Sequence, residues 1–410
     1  MKGAPMLAPR ARRIAISPTM KVAAEAIKLK AQGVDIVDLG AGEPDFPTPA
    51  HISAAAHAAI DANFTKYTTN SGTEELKRAI VDRYRTDYGV EYSTTETIVT
   101  AGGKQALFNA VMVLFGAGDE VITHMPGWPT LVEQIKIADA TPVVVRTHAE
   151  NGFQLTAESI LGAINPRTRG IIINSPSNPT GALIDEGELE SIAREAARRD
   201  IWILLDLCYE KLIYDDTTSH NLPGVLMRTL RDRTVLCGSA SKAYAMTGWR
   251  CGWALAPAAI VSASNALQSH STSNVCSITQ KAVVAGLRGS QQCVADMLDE
   301  YRRRRDQVVA WLREEPRLRL VPPAGAFYLF PDVSEFLAPD GVRTSSELAQ
   351  ALLDEARVAV TPGEAFDAPG FMRISYAASI EDLRRGTERI ISFVRGLEER
   401  RAPRGSEVRG

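Results

Sequence analysis

Residues 170–206 read GIIINSPSNPTGALIDEGELESIAREAARRDIWILLD. Two apolar runs bound this stretch, Gly170-Ile171-Ile172-Ile173 and Ile201-Trp202-Ile203-Leu204-Leu205. Neither alternates apolar with polar residues, so each reads as a short strand buried on both faces. Between them lie a turn dense in Pro, Ser and Asn, from Asn174 to Gly181, and a helix from Asp185 to Arg199. Continuous apolar strands separated by helices indicate a mostly parallel sheet covered on both sides.

The same pattern extends outward. Thr97-Ile98-Val99-Thr100 leads into Ala101-Gly102-Gly103-Lys104 and a helical run to Leu114. Glu120 to Thr123 is followed by Pro126-Gly127-Trp128-Pro129 and another helix; Pro142 to Val145 reads as a strand and Glu158 to Ile164 as a helix. Thr234 to Cys237 and Cys251 to Ala254 are further apolar runs. The expected fold class is therefore α/β, a doubly wound domain. The ends read differently. An amphipathic helix spans 17–33, and an Arg-rich helix after about residue 300 leads to Pro322-Pro323-Ala324-Gly325. Short strands at Phe327–Phe330, Val358–Val360 and Met372–Ser375 follow. They point to a smaller α+β domain built from both termini. The expected boundaries are 1–50 and 306–398 for the small domain, 51–305 for the large one, and a disordered tail at 399–410.

Composition narrows the function. The 410 residues carry 46 Lys and Arg against 49 Asp and Glu, a net charge of −3, which argues against nucleic-acid or polybasic membrane binding. The run Arg302 to Arg305 reads as a solvated helix face. No stretch has the ~18 apolar residues of a membrane helix. Met1 to Ile16 has Pro and Arg where a signal peptide needs an apolar run, so the chain reads as cytoplasmic. Five scattered cysteines without C-x-x-C and six histidines without H-x-x-x-H give no disulfide framework and no metal site.

In open α/β sheets, ligands bind beyond the carboxyl ends of the strands. This sequence puts Gly102-Gly103-Lys104 after 97–100, Trp128 after 121–123, and Asn178-Pro179-Thr180-Gly181 after 171–173. Asp206 and Tyr209 follow 201–205, and Ser239-Ala240-Ser241-Lys242 follows 234–237. A glycine pair at a helix start offers free N–H groups and a positive dipole end to a phosphate. A carboxylate at the mouth of a buried strand, such as Asp206, needs a cationic partner, for which a pyridinium nitrogen would serve. Lysines are few, 11 of the 46 basic residues. Lys242, with Arg250 eight residues on, has the setting of an amine whose pKa is depressed enough to form a Schiff base. Ser239 to Lys242 is also literally S-x-x-K, but the K-T-G that accompanies that motif in β-lactamases is absent.

Several stretches, in order and spread over about residues 17 to 395, resemble the fold-type I pyridoxal-phosphate enzymes of the class I aminotransferases. The nearest resemblance is to the gamma subgroup that includes bacterial aspartate and prephenate aminotransferases. The stretches are Leu39 to Phe46, Lys66-Tyr67-Thr68, Gly102 to Leu107, Asn174 to Gly181, Ser241 to Arg250, Gln268 to Asn274, Pro323 to Tyr328 and Arg373 to Ala377. The resemblance implies a mostly parallel seven-stranded sheet in the large domain, a pyridoxal 5′-phosphate cofactor, small-molecule amino acid and 2-oxo acid substrates, and ping-pong transamination.

The resemblance also assigns roles. Lys242 holds the cofactor as a Schiff base and carries the proton between substrate and cofactor, while Asp206 keeps the ring nitrogen protonated. Asn178 and Tyr209 bond the phenolic oxygen, and Trp128 stacks on the ring. Gly103, Lys104, Ser239, Ser241 and Arg250 surround the phosphate, joined by Tyr67 from the neighbouring subunit of a homodimer. Arg373 grips the substrate α-carboxylate, with Gly42, Thr19, Trp128 and Asn178 near the substrate and Lys104 on the distal carboxylate of an acidic one. Gly127, Leu207 and Cys208 depart from the usual Tyr, Glu and Ile. Ala15 stands where prephenate-using members tend to carry a basic residue. These departures bear on substrate choice, and they keep elimination, oxidation or ring formation as the alternative reaction types.

Overall fold

The computed structural model describes residues 18–401 except 215–219 and 340, together with Ala8, Arg12 and Ile14. The chain forms two compact units. Of the described residues, one unit comprises Glu43–Glu300 with Ala324–Ala326, and the other comprises 18–42, 301–323 and 327–401. Among the described residues, no helix is long and apolar enough to cross a membrane.

The strands in chain order are β1 (Val37–Asp38), β2 (Thr97–Thr100), β3 (Glu120–Met125), β4 (Thr141–Arg146), β5 (Thr168–Asn174), β6 (Trp202–Asp206), β7 (Thr234–Ser239), β8 (Gly252–Leu255), β9 (Tyr328–Leu329), β10 (Val358–Ala359), β11 (Thr361–Pro362) and β12 (Met372–Ser375). Seven of them form one sheet in the order β2-β8-β7-β6-β5-β3-β4. Its pairs are parallel except those made by β8, which runs antiparallel to β2 and β7. The expected α/β class and the mostly parallel seven-stranded sheet are what the structure has.

The unbroken apolar runs resolve into two cores by strand pleating. Ile171, Ile173, Ile203 and Leu205 belong to one buried cluster with Leu76, Ile80, Leu189 and Val283 from flanking helices. Ile172, Leu204 and Val235 point to the other, with Leu107, Val111 and Leu131. Successive side chains alternate between faces that are both covered by helices, which is why neither face could be polar. The exception is β4, at one edge of the sheet, whose side chains are largely exposed; β2, at the other edge, is buried along its whole length.

The second unit holds the antiparallel sheet β11-β12-β9 and the parallel pair β1-β10, which joins residues 321 apart. Helix Pro18–Ala31 occupies the region expected at 17–33. Helix Ile380–Arg401 runs through the first residues of the expected tail; the rest of that stretch lies outside the described residues. This helix packs closely on β1, since a Cβ at Gly386 would come within 2.6 Å of Leu39.

One contact ties the large sheet to the start of helix Gly103–Leu114. A Cβ on Gly252 would sit 2.4 Å from the backbone N of Gly103 and 2.5 Å from the carbonyl carbon of Gly102. The obstruction is backbone, so it cannot be relieved by a rotamer change. Gly252→Ala is expected to cost roughly 1–3 kcal/mol in urea unfolding. Gly162→Ala, in a helix with nothing within 4 Å, is expected to be neutral or stabilising by up to about 1 kcal/mol. Equal effects of the two would refute the packing argument.

Candidate active site

The parallel register brings the strand ends level. Asn174 of β5 lies opposite Asp206 of β6 and Asp206 opposite Cys237 of β7, while in the antiparallel pair of β7 with β8 Ser239 lies opposite Gly252. Most of the residues singled out from the sequence hang from this edge.

Gly102, at φ +88, caps helix Gly103–Leu114. A Cβ there would lie 2.5 Å from Nη2 of Arg250, and one on Gly103 would lie 3.3 Å from Cβ of Ser239. The glycine pair, the guanidinium and Ser239 therefore crowd around the first turn of the helix. Arg250 is steered by its own donors, Nη1 to the Thr247 carbonyl at 2.8 Å and Nη2 to that of Ala101 at 3.3 Å. Ser239 accepts from the Ser241 N–H at 3.0 Å and so caps the short helix Ala240–Ala243 that carries Lys242. A helix N-terminus, an arginine and two serines converge in a cradle for a phosphate.

Asp206 is 2% exposed. Its Oδ1 accepts from the Cys208 backbone N–H at 3.1 Å, and among the described residues it forms no ion pair. Burial pushes its carboxyl up to about 7, against which the Cys208 hydrogen bond works only partly. Burial first and the Asp206 charge second push the Cys208 thiol up to about 12, so it stays protonated. Tyr209 is buried, with Lys242 Nζ 6.0 Å from its ring centroid. The next residue anchors it: Glu210 accepts from Tyr88 Oη at 2.8 Å and Tyr84 Oη at 3.5 Å, on helix Glu74–Tyr88.

Asn178 is buried, and its backbone N–H donates to Asn174 Oδ1 at 2.9 Å. Trp128 caps helix Pro129–Ile137, and Lys104 Nζ lies 4.9 Å from its ring centroid. Partial burial and the Arg250 charge hold the Lys104 ammonium below its ordinary range.

In the second unit Arg373, on β12, is 4% exposed. Its guanidinium stacks 4.3 Å from the Tyr328 ring centroid and 5.0 Å from that of Phe366. Nη2 donates to the Gly40 carbonyl at 2.8 Å and to Thr361 Oγ1 at 3.4 Å. A Cβ on Gly42 would come 3.3 Å from Tyr328 Oη and 3.8 Å from Nη2. Gly42 and Arg373 are thus neighbours. Tyr67 is 92% exposed. Thr19 lies in the first helix, but its side chain is outside the described residues. Sequence reasoning missed His124, whose Nε2 accepts from the Asn174 N–H at 3.2 Å; no motif flagged it.

Residues 34–390 match the family "Aminotransferase class I and II". An aspartate/prephenate aminotransferase of Cereibacter sphaeroides is 43% identical over 391 residues, 94% of this chain and 98% of that protein. An aspartate aminotransferase of Bacillus sp. (strain YM-2) is 40% identical over 390 residues, 95% and 99% of the two chains. Among solved structures, the aspartate aminotransferase of Rhizobium meliloti superposes with a TM-score of 0.90 at 39% identity, covering 96% of this chain and 99% of that one. That of Thermus thermophilus with maleate gives 0.88 at 40% identity, with 96% and 100% covered.

The Asp206 pKa has a thermodynamic consequence that can be measured. Its folded value, about 7, lies above the ordinary 3.8. Between the two the folded chain holds a proton that the unfolded chain has released. Stability from this group therefore falls as pH rises from about 4 to about 7, and stays low above. Without cofactor, Asp206→Asn is expected to be more stable than the parent at pH 8, by up to about 4 kcal/mol. The gap should close below about pH 4. Urea unfolding at both pH values measures it, and a gap independent of pH would show that the carboxyl is not held neutral.

Proposed function

The chain belongs to the class I and II aminotransferase family, and from that premise we propose that it moves an amino group between an amino acid and a 2-oxo acid, with aspartate or glutamate and their oxo acids as one substrate pair. It is a pyridoxal-phosphate-dependent transferase. The observation that carries the reading is Asp206, a buried carboxylate without an ion-pair partner among the described residues, at the same sheet edge as an anion cradle. A ligand that brings both a protonated ring nitrogen and a phosphate satisfies the two at once.

When bound, pyridoxal phosphate supplies an electron sink that makes the α-proton of an amino acid removable. The chain's own residues do the rest. Lys242 would hold the cofactor through Nζ and take the proton from the substrate α-carbon. Asp206 would hold the ring nitrogen's proton, Asn178 and Tyr209 would fix the phenolic oxygen, and Trp128 would cover the ring face. Gly103, Lys104, Ser239, Ser241 and Arg250 would hold the phosphate.

Arg373 would receive the substrate α-carboxylate, its plane fixed between the Tyr328 and Phe366 rings; Gly42 leaves it uncovered, and Thr19, Trp128 and Asn178 would border the substrate. Lys104 would meet the distal carboxylate. Support comes from relatives named aspartate aminotransferase and from the solved neighbour holding maleate, a four-carbon dicarboxylate. The 92% exposure of Tyr67 supports a homodimer in which it reaches the neighbouring subunit's site. Five free cysteines support a reducing, cytoplasmic setting.

Lys242→Ala is expected to fold, to lose the covalent cofactor linkage seen by borohydride trapping, and to turn over at least ~10³-fold more slowly. Trapping at a near-parental rate would overturn the assignment. Lys104→Ala is expected to lower kcat/KM roughly 10–150-fold for aspartate and much less for leucine or phenylalanine. Equal losses with weaker cofactor binding would return Lys104 to the phosphate alone.

A further inference from the structure

His124, the penultimate residue of β3, has no role in the reading above. The ladder between β3 and β5 ends at Ile122 and Ile171, whereas β5 continues beside β6 as far as Asn174 opposite Asp206. Beyond Ile122 the two strands are joined by side chains. Thr123 Oγ1 donates to the Ile172 carbonyl at 3.2 Å, and His124 Nε2 lies 3.2 Å from the Asn174 backbone N. A backbone N–H only donates, so Nε2 is the unprotonated acceptor and the neutral ring carries its proton on Nδ1. Burial pulls the ring down to about 4, so it keeps this form at neutral pH.

Asn174 passes the constraint on. Its Oδ1 accepts from the Asn178 N–H at 2.9 Å and its Nδ2 donates to the Asp206 carbonyl at 3.4 Å. One residue thus joins β3, β6 and the turn that bears Asn178. We propose that His124 is a positioning residue of the cofactor site, setting through Asn174 the direction in which Asn178 presents its side-chain amide. The inference rests on the proposed role of Asn178. His124, Asn174 and Ser177 border a small cavity of about 10 Å³, lined also by Phe153, Leu155 and Ile173, which has room for one water at most. His124 is itself buried, so losing its acceptor leaves a buried N–H that one water at most could meet.

The test uses the full chain as His124→Leu, His124→Gln, His124→Asn, Asn178→Ala and the His124→Leu/Asn178→Ala double variant. Readouts are pyridoxal-phosphate affinity by titration and the pH midpoint of the bound chromophore's absorbance. His124→Leu is expected to weaken binding about tenfold and to move the midpoint. His124→Gln, whose amide oxygen can accept, should restore most of both; His124→Asn, too short to reach, should not. If the Leu variant does not fold, the Gln and Asn comparison decides. In the Asn178→Ala background His124→Leu should add less than about twofold, as coupling through one residue requires. Independent, additive losses, or a Gln variant no better than Asn, would overturn the proposal while leaving the site reading intact. An Asn178→Ala variant with unchanged affinity and midpoint would overturn that reading, and the proposal with it.

Discussion

A carboxylate held out of water at the end of a buried strand is the constraint on which the rest of this structure turns. Asp206 closes β6, the central strand, with helices over both faces of the sheet. Removing such a group from water favours its neutral form unless a cation or several donors compensate. The fold supplies one backbone N–H and leaves the remaining compensation to a ligand. That choice is possible only because the strand is apolar on both sides and lies between parallel neighbours. A solvated strand end would let water screen the charge and remove the demand for a protonated ring nitrogen.

The anion cradle depends on steric absence at the same edge. Gly102, Gly103 and Gly252 are each within 3.3 Å of something a Cβ would meet, namely Arg250, Ser239 and the helix backbone. The first turn of helix Gly103–Leu114 therefore approaches the sheet more closely than any side chain would allow. Its N–H groups and the Arg250 guanidinium can then face one small volume, where their fields add. Glycine here serves close approach; only Gly102, at φ +88, also serves conformation.

Much of this was legible in the sequence, because strand burial and turn chemistry are local signals. The runs at 170–173 and 201–205 lie in parallel neighbours, and the residues after them meet at one edge. The apolar run at 142–145 reads the same way in sequence, yet β4 is an exposed edge while β2, the other edge, is buried, since apolar content does not reveal what covers a strand. Long-range pairing was equally silent: nothing in Val37–Asp38 foretells Val358–Ala359. His124 was invisible because a histidine on an apolar strand has no pattern of its own, and its partner, the Asn174 N–H, is a backbone group. Arg373 was legible only through family resemblance. In local sequence it is one arginine among 35, and its burial depends on Tyr328, Phe366 and Gly40 from distant segments.

The environment of Arg373 argues for its chemistry more strongly than its position does. A guanidinium is less strongly hydrated than an ammonium and accepts aromatic faces in place of water, so it can be buried against two rings. The two faces and the bond to the Gly40 carbonyl fix the plane of the fork before any substrate arrives. A planar fork held in one orientation matches a carboxylate bidentately and loses little rotamer freedom on binding it. Gly42 belongs to the same design, because a Cβ there would press on Tyr328 Oη at 3.3 Å, on the ring against which the guanidinium lies. The second unit thus uses burial to orient a cation, as the first uses it to hold a carboxyl out of water, and each presents a fixed group to a ligand of complementary charge.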